Sequence, residues 1–370
     1  MYLFNGNNLC SNNHHDLAMK KILTLAIIFL SFAVPFAQST NMNLKHFPML
    51  MPQVQPNTKD SYLCTAFRMP RYRTEYIVEF IPNATMETAH HIIIYGCKVP
   101  GYHVRDSPRA VWECGEMSGV VGPDSPYLRA PVCTGTYSII YAWAMDAPSL
   151  VLPDKVGFKV GKGTDIAFLV LQVHYAKVDR FLKGDRDQSG IILSITPDSA
   201  NRVNKRAGVL LLGTQGSIPA KSIEHMETSC KISQPILMHP FAFRTHTHKL
   251  GKLVTGWLIE DGKWKLLGKR DPQKPQMFYP INNESLIIKE NDVLAARCTM
   301  DNYLSHPVSV GPTGDDEMCN FYIMFWVDGD DELDEKYCFS SGPPTYYWKN
   351  DPLIGQVPDD IDREASNYIQ

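Results

Sequence analysis

The sequence predicts an all-β chain of two antiparallel β-sandwich, jelly-roll-like domains in series. Three observations predict it. Short runs rich in Val, Ile, Leu, Phe and Tyr recur between clusters of Pro, Gly, Asn and Asp, as strands alternate with turns in sandwiches. No long stretch repeats its apolar residues with helical period. A polar segment with Pro197, residues 196–206, lies near the middle of the 370 residues and reads as a linker.

The elements follow in order. Lys20 and Lys21 precede an apolar run over 22–36, and Ala37, Gln38 and Ser39 follow. A basic start, a short apolar stretch and small residues read as a signal peptide over 1–37. Met19 is an alternative start, which makes the residues before it an upstream extension. The run is shorter than the ~20 residues that span a bilayer, so no stable membrane insertion is expected. The expected location is the secretory pathway, secreted or in the vesicle lumen. The first sandwich, 45–198, holds predicted strands at 75–81, 91–95, 166–175 and 190–195. The second, 199–345, holds strands at 252–259 and 320–327. The proline- and acid-rich tail, 346–370, is expected to be partly ordered.

Hydrophobic residues make up 44%, charged residues 20%, and the formal charge is −3. These values fit a globular protein, and the lack of a basic excess or run excludes a nucleic-acid partner. Of nine cysteines, Cys10 lies in the leader. The others, Cys64, Cys97, Cys114, Cys133, Cys230, Cys298, Cys319 and Cys338, are even in number. After export they read as a disulfide framework whose pairing spacing alone leaves open. Sequons at Asn83 and Asn283 permit glycosylation.

Four patterns carry chemistry. In Arg244-Thr245-His246-Thr247-His248, strand alternation puts Arg244, His246 and His248 on one face. Two imidazoles one pleat apart form a chelate, although a lone His-x-His is as often solvated surface. Adjacent His90 and His91 can share an ion only at a strand end or bulge. His174 shares a face with Gln172 on an otherwise apolar strand, where packing is the ordinary role. Parity places Met318, Asn320, Tyr322 and Met324 on one face and Cys319, Phe321 and Ile323 on the other. A thioether beside imidazoles suits Cu(I), whereas histidines alone suit zinc equally.

Together these residues resemble the peptidylglycine α-hydroxylating monooxygenases. The resemblance runs from about Ser61 to Cys338. It rests on His90-His91 with Gly96-Cys97, Tyr141-Ala142-Trp143-Ala144, Leu171-Gln172-Val173-His174-Tyr175, His246-Thr247-His248-Lys249-Leu250-Gly251, Ala295-Ala296-Arg297-Cys298 and Glu317-Met318-Cys319-Asn320. It implies two copper ions per chain, ascorbate as reductant, O₂ as oxidant and peptides ending in glycine as substrates. His90, His91 and His174 match the ligands of an electron-transferring copper. His246, His248 and Met318 match those of the copper where the C–H bond is attacked. Arg244 and Tyr322, with Asn320, match the grip on the substrate carboxylate, and Gln172 a polar neighbour of the first copper. The resemblance also implies the pairs Cys64–Cys114, Cys97–Cys133, Cys230–Cys338 and Cys298–Cys319. Vertebrate members carry one more bridge in the first domain, and Gln188 stands near one of its expected positions.

The expected function is hydroxylation of the α-carbon of a C-terminal glycine, the first step of peptide C-terminal amidation. The enzyme is expected to be monofunctional, with a separate lyase acting on its product. Two alternatives differ in chemistry. A dopamine β-hydroxylase-like copper monooxygenase shares the metal ligands, but the Arg244/Tyr322 pair favours a carboxylate-bearing substrate. A non-catalytic secreted copper-binding protein needs no carboxylate clamp.

Overall fold

The computed structural model describes residues 44–102, 110–115, 126–197, 203–311 and 313–368. The signal peptide, Met19, Cys10 and the middle of the linker lie outside the described residues.

Two sheets form the first half. One runs β1 (Lys45–Leu50), β10 (Gly190–Pro197), β3 (Thr74–Asn83), β8 (Val156–Gly161), with β7 (Leu150–Val151) on β3. The other runs β5 (Val111–Glu113), β2 (Ser61–Arg68), β9 (Phe168–Tyr175), β4 (His91–Cys97), β6 (Tyr137–Ala144). Every residue of β4 and β9 is buried, as near-continuous apolar sequence demands of central strands covered on both faces. A single turn of helix, α1 (Asp179–Leu182), links β9 to β10.

The second half repeats the plan. One sheet runs β11 (Lys205–Thr214), β20 (Cys319–Asp328), β14 (His239–Thr247), β17 (Tyr279–Pro280), with β21 (Tyr337–Ser340) parallel to β11. The other runs β13 (Ser222–Lys231), β18 (Val293–Asn302), β15 (Gly251–Glu260), β16 (Lys263–Arg270). A small ribbon pairs β12 (Ser217–Ile218) with β19 (Val308–Ser309). In β20 the alternation sorts the core: Cys319, Phe321 and Ile323 pack inside the second sandwich. Tyr322 and Met324 instead join the first half's apolar cluster.

Sheet pairing does not stop at the linker. Lys205 and Arg206 of β11 pair in parallel with Val156 and Gly157 of β8, which fuses one sheet from each half into a ten-stranded sheet. Lys159 bonds Asp330 across the same seam, and Ile139 N donates to the Tyr337 hydroxyl. The tail carries α2 (Asp359–Ser366) and seats Trp348 and Ala365 against Trp257 and Ala295 of the outer sheet. Disulfides join Cys64–Cys114, Cys97–Cys133, Cys230–Cys338 and Cys298–Cys319, two in each half. Among the described residues no helix is long and apolar enough to cross a membrane.

Candidate metal centres and active site

The first cluster forms where two central strands end. His91 opens β4 and pairs in register with His174 near the end of β9, while His90 precedes the strand. The His90 N–H donates to the His174 carbonyl at 2.9 Å. Freed from strand alternation, His90 can turn its ring beside His91. Their Nδ1 atoms lie 3.4 Å apart, and one ring nitrogen from each of His90, His91 and His174 falls within 4.8 Å of the others. The Tyr62 ring stacks on His174 with centroids 4.1 Å apart. Asp60 Oδ1 lies 3.1 Å from His174 Nε2. A carboxylate accepts only, so Nε2 carries the proton and Nδ1 keeps its lone pair. That Nδ1 is buried and has no protein partner. Burial, then the neighbouring imidazoles, lowers His90 to about 3 and holds His91 well below the ordinary histidine range. Burial lowers His174 too, against the pull of Asp60. Neutral imidazoles with bare nitrogens are what a metal ion requires.

The second cluster uses the opposite nitrogens. His246 lies in β14 and His248 just beyond its end, with ring centroids 5.4 Å apart. Gln276 Nε2 donates to the Thr247 and Pro272 carbonyls, which orients its amide. Gln276 Oε1 therefore accepts from His246 Nδ1 at 2.5 Å. His248 Nδ1 donates to the Asp316 carbonyl at 2.9 Å. Both rings thus keep Nε2 bare, and that of His248 is buried without a protein partner. Burial and then Arg244 hold His246 well below its ordinary pKa.

Glu317 ties these donors together. It is 1% exposed and accepts from the backbone N–H groups of His248, Leu250 and Met318 at 2.8, 2.6 and 3.0 Å. Burial raises its pKa against the pull of His248 and those donors. Met318, next to the Cys298–Cys319 bridge, lines a cavity with His246.

That cavity, about 10 Å³, lies between the halves. Tyr62, His91 and Gln172 wall it on one side, and Arg244, Asn320 and Tyr322 on the other. Across it His91 and His246 approach to 5.9 Å between ring centroids, as do His90 and His248. Arg244 is 2% exposed, donates to the Gln276 carbonyl at 2.9 Å and lies 5.0 Å from the Tyr322 ring centroid. Burial lowers its pKa. Among the described residues no carboxylate forms an ion pair with it.

Every histidine that the sequence singled out for chemistry lies in one of these two groups, and Arg244, Asn320, Tyr322 and Met318 share the cavity. His239, outside both groups, stacks on Trp326 with centroids 3.8 Å apart. Sequence reasoning missed Asp60 and Gln276, and it gave Glu317 no role. Only the acid neighbouring Met318 in the Glu317-Met318 pair offered a signal.

Two histidine clusters, one from each sandwich, that face each other across the cavity define a candidate two-metal protein. Residues 47–182 match the N-terminal domain and 205–351 the C-terminal domain of copper type II ascorbate-dependent monooxygenases. The chain belongs to this family. It is 35% identical over 311 residues to peptidyl-glycine alpha-amidating monooxygenase A of Xenopus laevis, covering 83% of this chain and 31% of that protein. The Rattus norvegicus peptidylglycine alpha-amidating monooxygenase is 33% identical over 311 residues, covering 83% and 29%. Human dopamine beta-hydroxylase is 26% identical over 296 residues, covering 74% and 45%. The chain thus spans about a third of the peptidylglycine relatives it matches.

Proposed function

We propose that the chain hydroxylates the α-carbon of a C-terminal glycine on peptides, using O₂ and ascorbate, inside the secretory pathway. One observation carries the choice of substrate. Arg244 is a buried guanidinium without a carboxylate partner among the described residues, beside His246 and Met318. An uncompensated buried cation is costly, and a planar fork suits a carboxylate. A peptide's terminal carboxylate satisfies both conditions, with the Tyr322 hydroxyl and Asn320 within the same cavity. A substrate anchored by its last carboxylate presents its last α-carbon to the second donor set, which is catalysis by positioning. A catecholamine offers no such anion.

His90, His91 and His174 would hold one copper, and His246, His248 and Met318 the other. When bound, copper exchanges single electrons, so two ions supply the two electrons that accompany insertion of one oxygen atom, and ascorbate restores them. The protein's own part is to keep His90, His91, His174 and His246 unprotonated and to orient the ring nitrogens. Cleavage of the hydroxyglycine product is assigned to a lyase activity outside these two sandwiches. Four disulfides support the secretory assignment.

The test is oxygen uptake by copper-loaded protein with ascorbate. A glycine-terminated peptide should be turned over, an alanine-terminated one poorly and a phenethylamine not at all. Turnover of the amine alone would transfer the protein to the dopamine β-hydroxylase type. No uptake with any substrate would leave a copper carrier. Two coppers per chain, falling to one in Met318→Ile, are expected.

A further inference from the structure

We propose that Asp60 is a positioning residue of the first cluster, holding His174 in the tautomer and orientation that turn its Nδ1 toward His90 and His91. The inference rests on the reading of those three histidines as one copper site. Asp60 lies in the turn before β2, 7% exposed, with its backbone in the left-handed region at φ 59°. An aspartate tolerates that conformation better than most side chains, and here it aims the carboxylate inward. Oδ1 meets His174 Nε2 at 3.1 Å. The backbone N–H of Gly314, in the loop that leads to Met318, also donates to this carboxylate. Tyr62, two residues on, stacks on the same imidazole. The ring is thus fixed by a hydrogen bond on its edge and by an aromatic ring on its face.

The chemistry follows from the tautomer. A free imidazole carries its proton on either nitrogen, and only the form protonated at Nε2 can ligate through Nδ1. Asp60 selects that form before the metal arrives. Its negative charge beside a ligand also stabilises Cu(II) over Cu(I), which lowers the reduction potential of that ion. Carboxylates behind metal-bound histidines act in this way generally.

The experiment titrates copper into the full chain against a competing chelator, for wild type, Asp60→Ala and Asp60→Asn, and records the Cu(II) EPR spectrum and the reduction potential. Asp60→Ala should weaken one of two coppers by about 10–100-fold and alter its EPR hyperfine splitting. Asp60→Asn keeps an acceptor oxygen without the charge. It should recover most of the affinity yet raise the potential, a split that loss of packing alone would not produce. It also decides the matter should Asp60→Ala fail to fold. Wild type binding two coppers while Asp60→Asn matches its potential and spectrum overturns the inference alone. Wild type binding no copper at the histidine trio overturns the site reading and this inference with it.

Discussion

Replacing Glu317 by alanine strips the acceptor from three buried backbone N–H groups at once, those of His248, Leu250 and Met318. A hydrogen bond to a charged group is worth about 1.5–3 kcal/mol. The three share one side chain and do not add fully, so the loss is about 3–5 kcal/mol. Glu317→Gln separates the contributions. Oε2 receives both the His248 and Met318 donors, and an amide oxygen in its place keeps them. The amide NH₂ then faces the Leu250 N–H, donor against donor, at a cost of about 1–3 kcal/mol. His248 and Met318 hang on that one oxygen, so the alanine variant should also lose about 10–100-fold in affinity for one copper. Urea unfolding of metal-free protein gives the first quantity, and copper titration gives the second. Alanine at 317 with wild-type copper affinity, or with stability within 1 kcal/mol of wild type (about the worth of one ordinary hydrogen bond), would refute the clamp.

Three other outcomes follow from the same geometry. Arg244→Met removes two or more charge-assisted bonds to a substrate carboxylate and should lower kcat/KM for a glycine-terminated peptide about 10²–10³-fold, leaving a carboxylate-free ester unaffected. Equal losses on both substrates would count against a carboxylate clamp. His91 and His246, held by burial far below the ordinary histidine pKa, stay neutral in the folded chain while the unfolded chain takes up protons below about pH 6.5. Stability of the metal-free protein is therefore full above that pH and is lost as pH falls toward the folded values. Identical urea midpoints at pH 7 and pH 5 would contradict it. Gly251→Ala would put a Cβ 2.1 Å from Thr247 Oγ1, between His246 and His248. It should cost about 1–3 kcal/mol and weaken one copper, and calorimetry with metal analysis checks both.

Much of this was legible in order along the chain. The strands expected at 75–81, 91–95 and 320–327 lie within Thr74–Asn83, His91–Cys97 and Cys319–Asp328. Their apolar content and bounding turns mark them locally. Parity in β20 correctly separated Cys319 and Phe321 from Tyr322, and adjacency of His90 and His91 demanded the strand end that is found. What escaped depends on contacts distant in sequence. Asp60 meets His174 across 114 positions and Gln276 meets His246 across 30, with no periodicity to announce either. Glu317 ends the acidic run Asp315-Asp316-Glu317, which reads as solvated until the His248 turn folds over it. The β8–β11 seam is equally silent, because two paired residues leave no pattern.

The choice of ring nitrogen divides labour between the clusters. In the first, Asp60 occupies Nε2 of His174 and the Nδ1 atoms of His90 and His91 face each other. Nδ1 is the nitrogen nearer the backbone, so these donors stay close to the ends of β4 and β9, beneath Tyr62. In the second, Gln276 and the Asp316 carbonyl occupy Nδ1, leaving the far nitrogens of His246 and His248 bare. Far nitrogens project away from their strand, and His246 does so in the cavity that holds Arg244 and Met318. On the proposed assignment, the first site passes electrons and gains from rigid donors drawn in against the backbone. On the same assignment, the second site reaches a bound α-carbon and needs its donors extended toward Arg244. Both arrangements are set by neutral hydrogen-bond partners and one carboxylate, Asp60, before any ion binds.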